Sequence, residues 1–80
     1  MAVRLVFIGR LEDVAGAGER EVQTCAGLDD LLAMLEPELA RELRGEHIRV
    51  ALNGNVLADA RRLTMNDGDE IAFLPPVSGG

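Results

Sequence analysis

Residues 27–43 read GLDDLLAMLEPELAREL, and the placement of their leucines decides the architecture. Leu28, Leu31, Leu32, Leu35 and Leu39 step by three, one, three and four, which draws a single apolar stripe along a helix. Gly27 stands at the N-cap, where it is tolerated although Ser or Thr would be stronger. Asp29 and Asp30 fall in the first turn, where negative charge complements the helix dipole. Pro37 ends or kinks this helix and can open a second short one through Leu39 and Leu43 to Gly45.

Before this helix lies a hairpin pattern. AVRLVFI (2–8) puts Val3, Leu5 and Phe7 on one strand face and Arg4, Val6 and Ile8 on the other. In RLEDVAG (10–16), Leu11, Val14 and Ala15 mark a short helical turn stopped by Gly16. Glu19–Thr24 then reads as a polar edge strand paired back on the first. Beyond the helix, HIRVAL (47–52) alternates, with His47 starting a strand and Ile48, Val50 and Leu52 facing inward. Asn53-Gly54 signals a hairpin into a short strand at Asn55–Ala58. After the turn at Asn66–Asp69, EIAFL (70–74) sets Ile71 and Phe73 against Ala72 and Leu74.

A mixed sheet of four to five strands packed on one main helix makes an α+β, two-layer domain. A hairpin, a helix crossing the sheet and then further strands resembles the β-grasp plan of ubiquitin-like folds. The domain spans residues 1–74 and the tail residues 75–80; there is no internal repeat and no interdomain linker.

Composition narrows the function. Eighty residues make one domain, which buries only about 60% of its unfolded surface. With Phe7 and Phe73 as the only aromatics, the core must be aliphatic. A net charge of −6 repels phosphate backbones, so neither nucleic acid nor an anionic membrane is an expected partner. An acidic surface instead favours a protein with a basic patch. All eight basic residues are Arg, so no lysine amine is present for Schiff-base chemistry or for accepting an isopeptide bond. No membrane-length apolar run and no signal-peptide pattern occur, which makes the cytoplasm the default location.

The side chains offer little catalytic chemistry. There is no GxxxxGK[ST] phosphate loop, so any ATP chemistry must come from a partner. One Cys and one His are too few for a metal site built on those residues, and nothing around Cys25 or His47 argues for an activated pair. The acidic pairs Asp29/Asp30, Glu12/Asp13 and Asp69/Glu70 read as helix starts, turns and solvated faces.

What remains is the C-terminal end, Pro75-Pro76-Val77-Ser78-Gly79-Gly80. Six residues can extend about 20 Å. Pro75-Pro76 favours polyproline II and directs the tail away from the domain. Gly79 and Gly80 carry no Cβ and so form the narrowest backbone available, suited to a slot where another protein reaches a carboxyl carbon.

FLPPVSGG (73–80) resembles the terminus of the sulfur-carrier family that joins the small subunit of molybdopterin synthase with the thiamine-pathway carrier. VRLVFIGRLEDVAG (3–16), ALNGNVL (51–57) and NDGDEIAFLPPVSGG (66–80) extend the resemblance over most of the chain in the right order. The resemblance implies a sulfur carrier for molybdenum cofactor synthesis, a donor subunit with no active site of its own. An adenylyltransferase related to ubiquitin-activating enzymes, using ATP, would adenylate Gly80 beside Gly79. A sulfur donor protein would then convert it to a thiocarboxylate. The large synthase subunit, in a heterotetramer of two small and two large subunits, would use that sulfur on precursor Z, cyclic pyranopterin monophosphate. The resemblance places the partner interface at Ile8, Val56 and Leu74, with Pro75, Pro76, Val77 and Ser78 along the tail. It implies no bound cofactor or metal. A thiamine-pathway or other sulfur carrier, a ubiquitin-like protein modifier, and a plain β-grasp interaction module are the competing readings.

Overall fold

The alternation of residues 2–7 becomes a strand, β1 (Ala2–Phe7), whose Val3, Leu5 and Phe7 are buried in the computed structural model, which describes residues 1–76. A short helix, α1 (Arg10–Ala15), follows and ends at Gly16, whose φ of 83° is the left-handed conformation that glycine adopts without strain. β2 (Glu19–Gln23) turns back antiparallel to β1 and forms one edge of the sheet. The remaining strands are β3 (Arg49–Leu52), β4 (Asn55–Val56) and β5 (Glu70–Leu74), with a 3-10 turn at Ala60–Arg62. The sheet order is β2-β1-β5-β3-β4, with β5 parallel to β1 and antiparallel to β3. This is the mixed five-stranded sheet of a ubiquitin-like β-grasp fold.

The stripe of residues 28–43 forms two helices, α2 (Leu28–Ala33) and α3 (Pro37–Leu43), so the main helix ends before Pro37 and a second short one opens there, as the sequence implies. The cause is Pro37. It has no N–H to donate, and it forces the residue before it, Glu36, into an extended conformation (φ −56°, ψ 141°). The stripe survives the break: Leu31, Leu32, Leu35, Leu39 and Leu43 are all buried, and Leu28 packs against them. These leucines meet Val3, Leu5, Phe7, Val50, Ile71 and Phe73 from the inner face of the sheet. Phe7 and Phe73 stack with ring centroids 5.8 Å apart, tying the two parallel central strands together.

Two boundaries move from the sequence reading. His47 lies in an exposed turn and β3 starts at Arg49, because the amide of Ile48 donates back to the Gly45 carbonyl at 3.2 Å. β4 is two residues long, after which the Leu57 amide makes one more bond to Val50 and the chain leaves the sheet. No helix among the described residues is long and apolar enough to cross a membrane.

Candidate functional site

The end of β5 delivers the tail. Leu74 pairs with Arg49 on one side, while on the other the Ile8 amide donates to the Phe73 carbonyl at 3.1 Å. Pro75 then passes over Gly9, which has φ +59°. A Cβ at Gly9 would stand 3.3 Å from Pro75 Cγ, so the bare glycine backbone gives Pro75 its seat. Pro75 is half-buried and Pro76 exposed. Val77, Ser78, Gly79 and Gly80, the four tail positions singled out from sequence, lie outside the described residues.

Beside this exit the outer face of the sheet is apolar. Register places Val6, Ala72, Ala51 and Val56 in one row across β1, β5, β3 and β4. Leu74 lies two residues beyond Ala72 on the same face, and Ile8 two beyond Val6. Ile8 is 42% exposed and Val56 57%, whereas Leu74 is half-buried. The structure therefore brings Ile8, Val56 and Leu74 to one face, joined by Val6, Ala72 and Ala51. Those three connecting residues were missed from sequence, although Val6 and Ala72 carried the signal: each stands between two inward-facing residues.

Two open clefts flank Pro76. The larger, about 540 Å³, has Arg49, Leu57, Asp59, Arg61 and Pro75 among its lining residues. The smaller, about 210 Å³, has Arg10, Arg41, Glu42, Glu46 and His47. Asp59 caps the 3-10 turn by accepting from the Arg61 amide at 3.0 Å, and the Arg61 guanidinium holds its carboxyl below the usual range.

Elsewhere the chemistry is inert. Burial pushes the Cys25 thiol up, and the sulfur faces the Gly27 carbonyl at 3.6 Å and Met65 Sδ at 3.8 Å, with no imidazole beside it. Among the described residues, no group of three or more His, Cys, Asp or Glu side chains could hold a metal ion. Among the described residues the chain offers Pro75-Pro76 at the end of β5 and an apolar sheet face beside them, and no constellation for acid–base or nucleophilic catalysis.

Comparison with known proteins is decisive at this point, since residues 5–80 match the ThiS family. The chain belongs to the ThiS family. It is 31% identical to the molybdopterin synthase sulfur carrier subunit of Chlamydomonas reinhardtii over 85 residues, covering the whole of both chains. Among solved structures, it is similar to a chain of the protein–protein complex of subunits 1 and 2 of molybdopterin-converting factor from Helicobacter pylori (29% identity, whole of both chains, TM-score 0.72). It is also similar to the small archaeal modifier protein 1 of Methanosarcina acetivorans (27% identity, 99% of this chain and 96% of that one, TM-score 0.80). The ThiS-family chain is thus similar in sequence to a protein named for sulfur carriage and shares its fold with one named a protein modifier.

Proposed function

We propose that this chain is the sulfur carrier subunit of molybdopterin synthase, acting in molybdenum cofactor synthesis through the carboxylate of Gly80. One observation carries the reading: a carrier subunit of that synthase is matched over its whole length. The geometry supports it, because the last strand brings Pro75-Pro76 out beside an apolar, helix-free sheet face. A partner adenylyltransferase activates the terminus. The Gly80 carboxylate attacks the α-phosphorus of ATP, pyrophosphate leaves, and a mixed anhydride with AMP results. This step is needed because a carboxylate has no good leaving group, whereas AMP is one. A hydrosulfide equivalent from a sulfur donor protein adds to the acyl carbon and expels AMP, leaving a thiocarboxylate. The face around Ile8, Val56 and Leu74 docks on the large subunit, as two small and two large subunits assemble. The thiocarboxylate sulfur then bonds to a carbon of precursor Z, displacing oxygen as water, and a second water cleaves the acyl–sulfur bond, leaving the sulfur on the product and returning the Gly80 carboxylate.

The test is intact mass after incubation with ATP, the activating enzyme and a sulfur source. A gain of about 16 Da, oxygen replaced by sulfur, is expected, and a variant lacking Gly79-Gly80 gains nothing. An unchanged mass in the full chain removes the proposal. The likeness to the archaeal modifier favours a second reading, attachment of Gly80 to lysines of other proteins. Gly80-dependent conjugates that survive reducing agent would select it. Without lysine, the chain has no side-chain amine on which to build a polymer of itself.

A further inference from the structure

The clefts flanking Pro76 concentrate positive charge on an acidic protein. Arg10 of α1 and Arg41 of α3 line one, and Arg49 of β3 and Arg61 of the 3-10 turn line the other. These are four of the eight arginines of the chain. Only Glu42, Glu46 and Asp59 of its fourteen acidic residues join them. Four positive groups against three negative leave the tail exit at +1, so with −6 overall the remaining surface carries −7.

Two of these acids are already engaged, Asp59 with Arg61 at 3.2 Å and Glu42 with Arg10 at 3.7 Å. Among the described residues, neither Arg41 nor Arg49 has a carboxylate within 4.0 Å. Arg49 lies directly across from Leu74, which makes the charged collar continuous with the apolar docking face. Arginine is enriched at specific protein interfaces, where a polar rim surrounds an apolar core.

Two anionic occupants are chemically possible, a nucleotide phosphate or carboxylates on a protein surface. Reach separates them. Four residues follow Pro76, a length that can span up to about 13 Å. That reach lets a nucleotide meet the terminus inside a partner's slot clear of these arginines, whereas the protein surface around the slot must come up against the tail exit that they surround. We infer that Arg10, Arg41, Arg49 and Arg61 form a cationic collar that recognises an acidic rim on the protein receiving the tail. The inference rests on the proposed carrier function. It reverses the sign of partner that the net charge alone suggests.

The test compares two double variants with the same change in total charge. Arg41→Glu/Arg49→Glu alters the collar. Arg44→Glu/Arg62→Glu alters two arginines that line neither cleft and have no carboxylate within 4.0 Å among the described residues. Association with the large synthase subunit of the same genome is measured by calorimetry at about 50 and about 500 mM NaCl, since salt screens exposed charge. The collar variant is expected to bind about tenfold more weakly at low salt, with the difference closing to about twofold at high salt. The control pair is expected to stay within about threefold of wild type. Circular dichroism melts confirm that both variants fold, and Arg41→Gln/Arg49→Gln repeats the loss at smaller size if the collar pair does not. Wild-type affinity in the collar variant, tighter binding, or equal loss in both pairs overturns the collar. A wild-type chain that fails to bind at all removes the proposed function as well, so the two failures are distinguishable.

Discussion

The two ends of the sheet are built on opposite principles. At one end the chain start and two turns are stitched together. The Asn53 side chain donates to Asp69 at 3.0 Å and accepts from the Glu70 amide at 2.9 Å. Asp69 also accepts from the Asn66 amide at 2.8 Å, and Asp67 from the Ala2 amide at 2.8 Å. At the other end Pro75 and Pro76 leave between two open clefts, beside an apolar face, among arginines of which Arg41 and Arg49 have no carboxylate within 4.0 Å among the described residues. The closed end spends its polar groups inward, on holding the fold. The open end pairs only some of its charges, Asp59 with Arg61 and Glu42 with Arg10, and its apolar surface is the face proposed to meet another molecule. On the proposed function, stability and recognition are separated along one axis, and each can be attacked without the other.

The largest expected effect comes from charging the open end. Leu74→Glu places a carboxylate in the proposed docking face, where burial against a partner would strand it. Glutamate suits this test because its cross-strand neighbour is Arg49, an opposite charge that supports the strand pair in the free protein. Association with the large subunit should fall on the order of 100-fold, while the melting temperature stays near wild type. Unchanged binding would remove Leu74 from the interface; a collapsed melt would show that the ends are not separable.

The converse break is Asn53→Ala. It removes the two side-chain bonds that tie the β3–β4 turn to the β5 turn, and it leaves alanine at φ 50°, where Asn is tolerated better. A loss of about 2 kcal/mol is expected, with the melting midpoint lowered by roughly 4–8 °C for each kcal/mol. Binding by the folded fraction should be unchanged. Thermal denaturation paired with calorimetry below the midpoint checks both halves, and a matching loss of affinity would contradict the separation.

Much of this division was legible in the chain, but unevenly. Alternation in AVRLVFI and EIAFL fixed which residues of β1 and β5 face inward, because a one-residue slip would expose Phe7 and Phe73. Asn53-Gly54 announced its hairpin because both residues take positive φ, which few other pairs accept. The apolar face was only half visible: Ile8, Val56 and Leu74 were named through the family resemblance, alternation put Val6 and Ala72 outward without linking them, and Ala51 looks unremarkable until register aligns it. The collar was invisible. Arg10, Arg41, Arg49 and Arg61 come from four separate elements, and only the fold brings them round one exit. A count of charges reports their sum and hides their arrangement.

The smallest effect separates the ends by the kind of group that stabilises charge at each. Asp59, at the open end, has its pKa lowered mainly by the hydrogen bond from the Arg61 guanidinium, a charged donor. Asp69, at the closed end, has its pKa lowered mainly by the Asn53 amide and then by the Asn66 backbone N–H, both neutral donors. A depressed carboxylate pKa adds stability above the ordinary value of 3.8, and that stability is lost as pH falls through the folded value. Salt screens an exposed ion pair and leaves a neutral hydrogen bond largely untouched. Carboxyl carbon titrations followed by NMR between about pH 5 and pH 2 should therefore show the Asp59 midpoint rising toward 3.8 in strong salt while that of Asp69 holds. Asn53→Ala should raise the Asp69 midpoint and leave Asp59 where it was. If salt moves both midpoints equally, the closed end is held by charge after all, and the distinction between an inward-bonded end and an outward-facing one loses its physical basis.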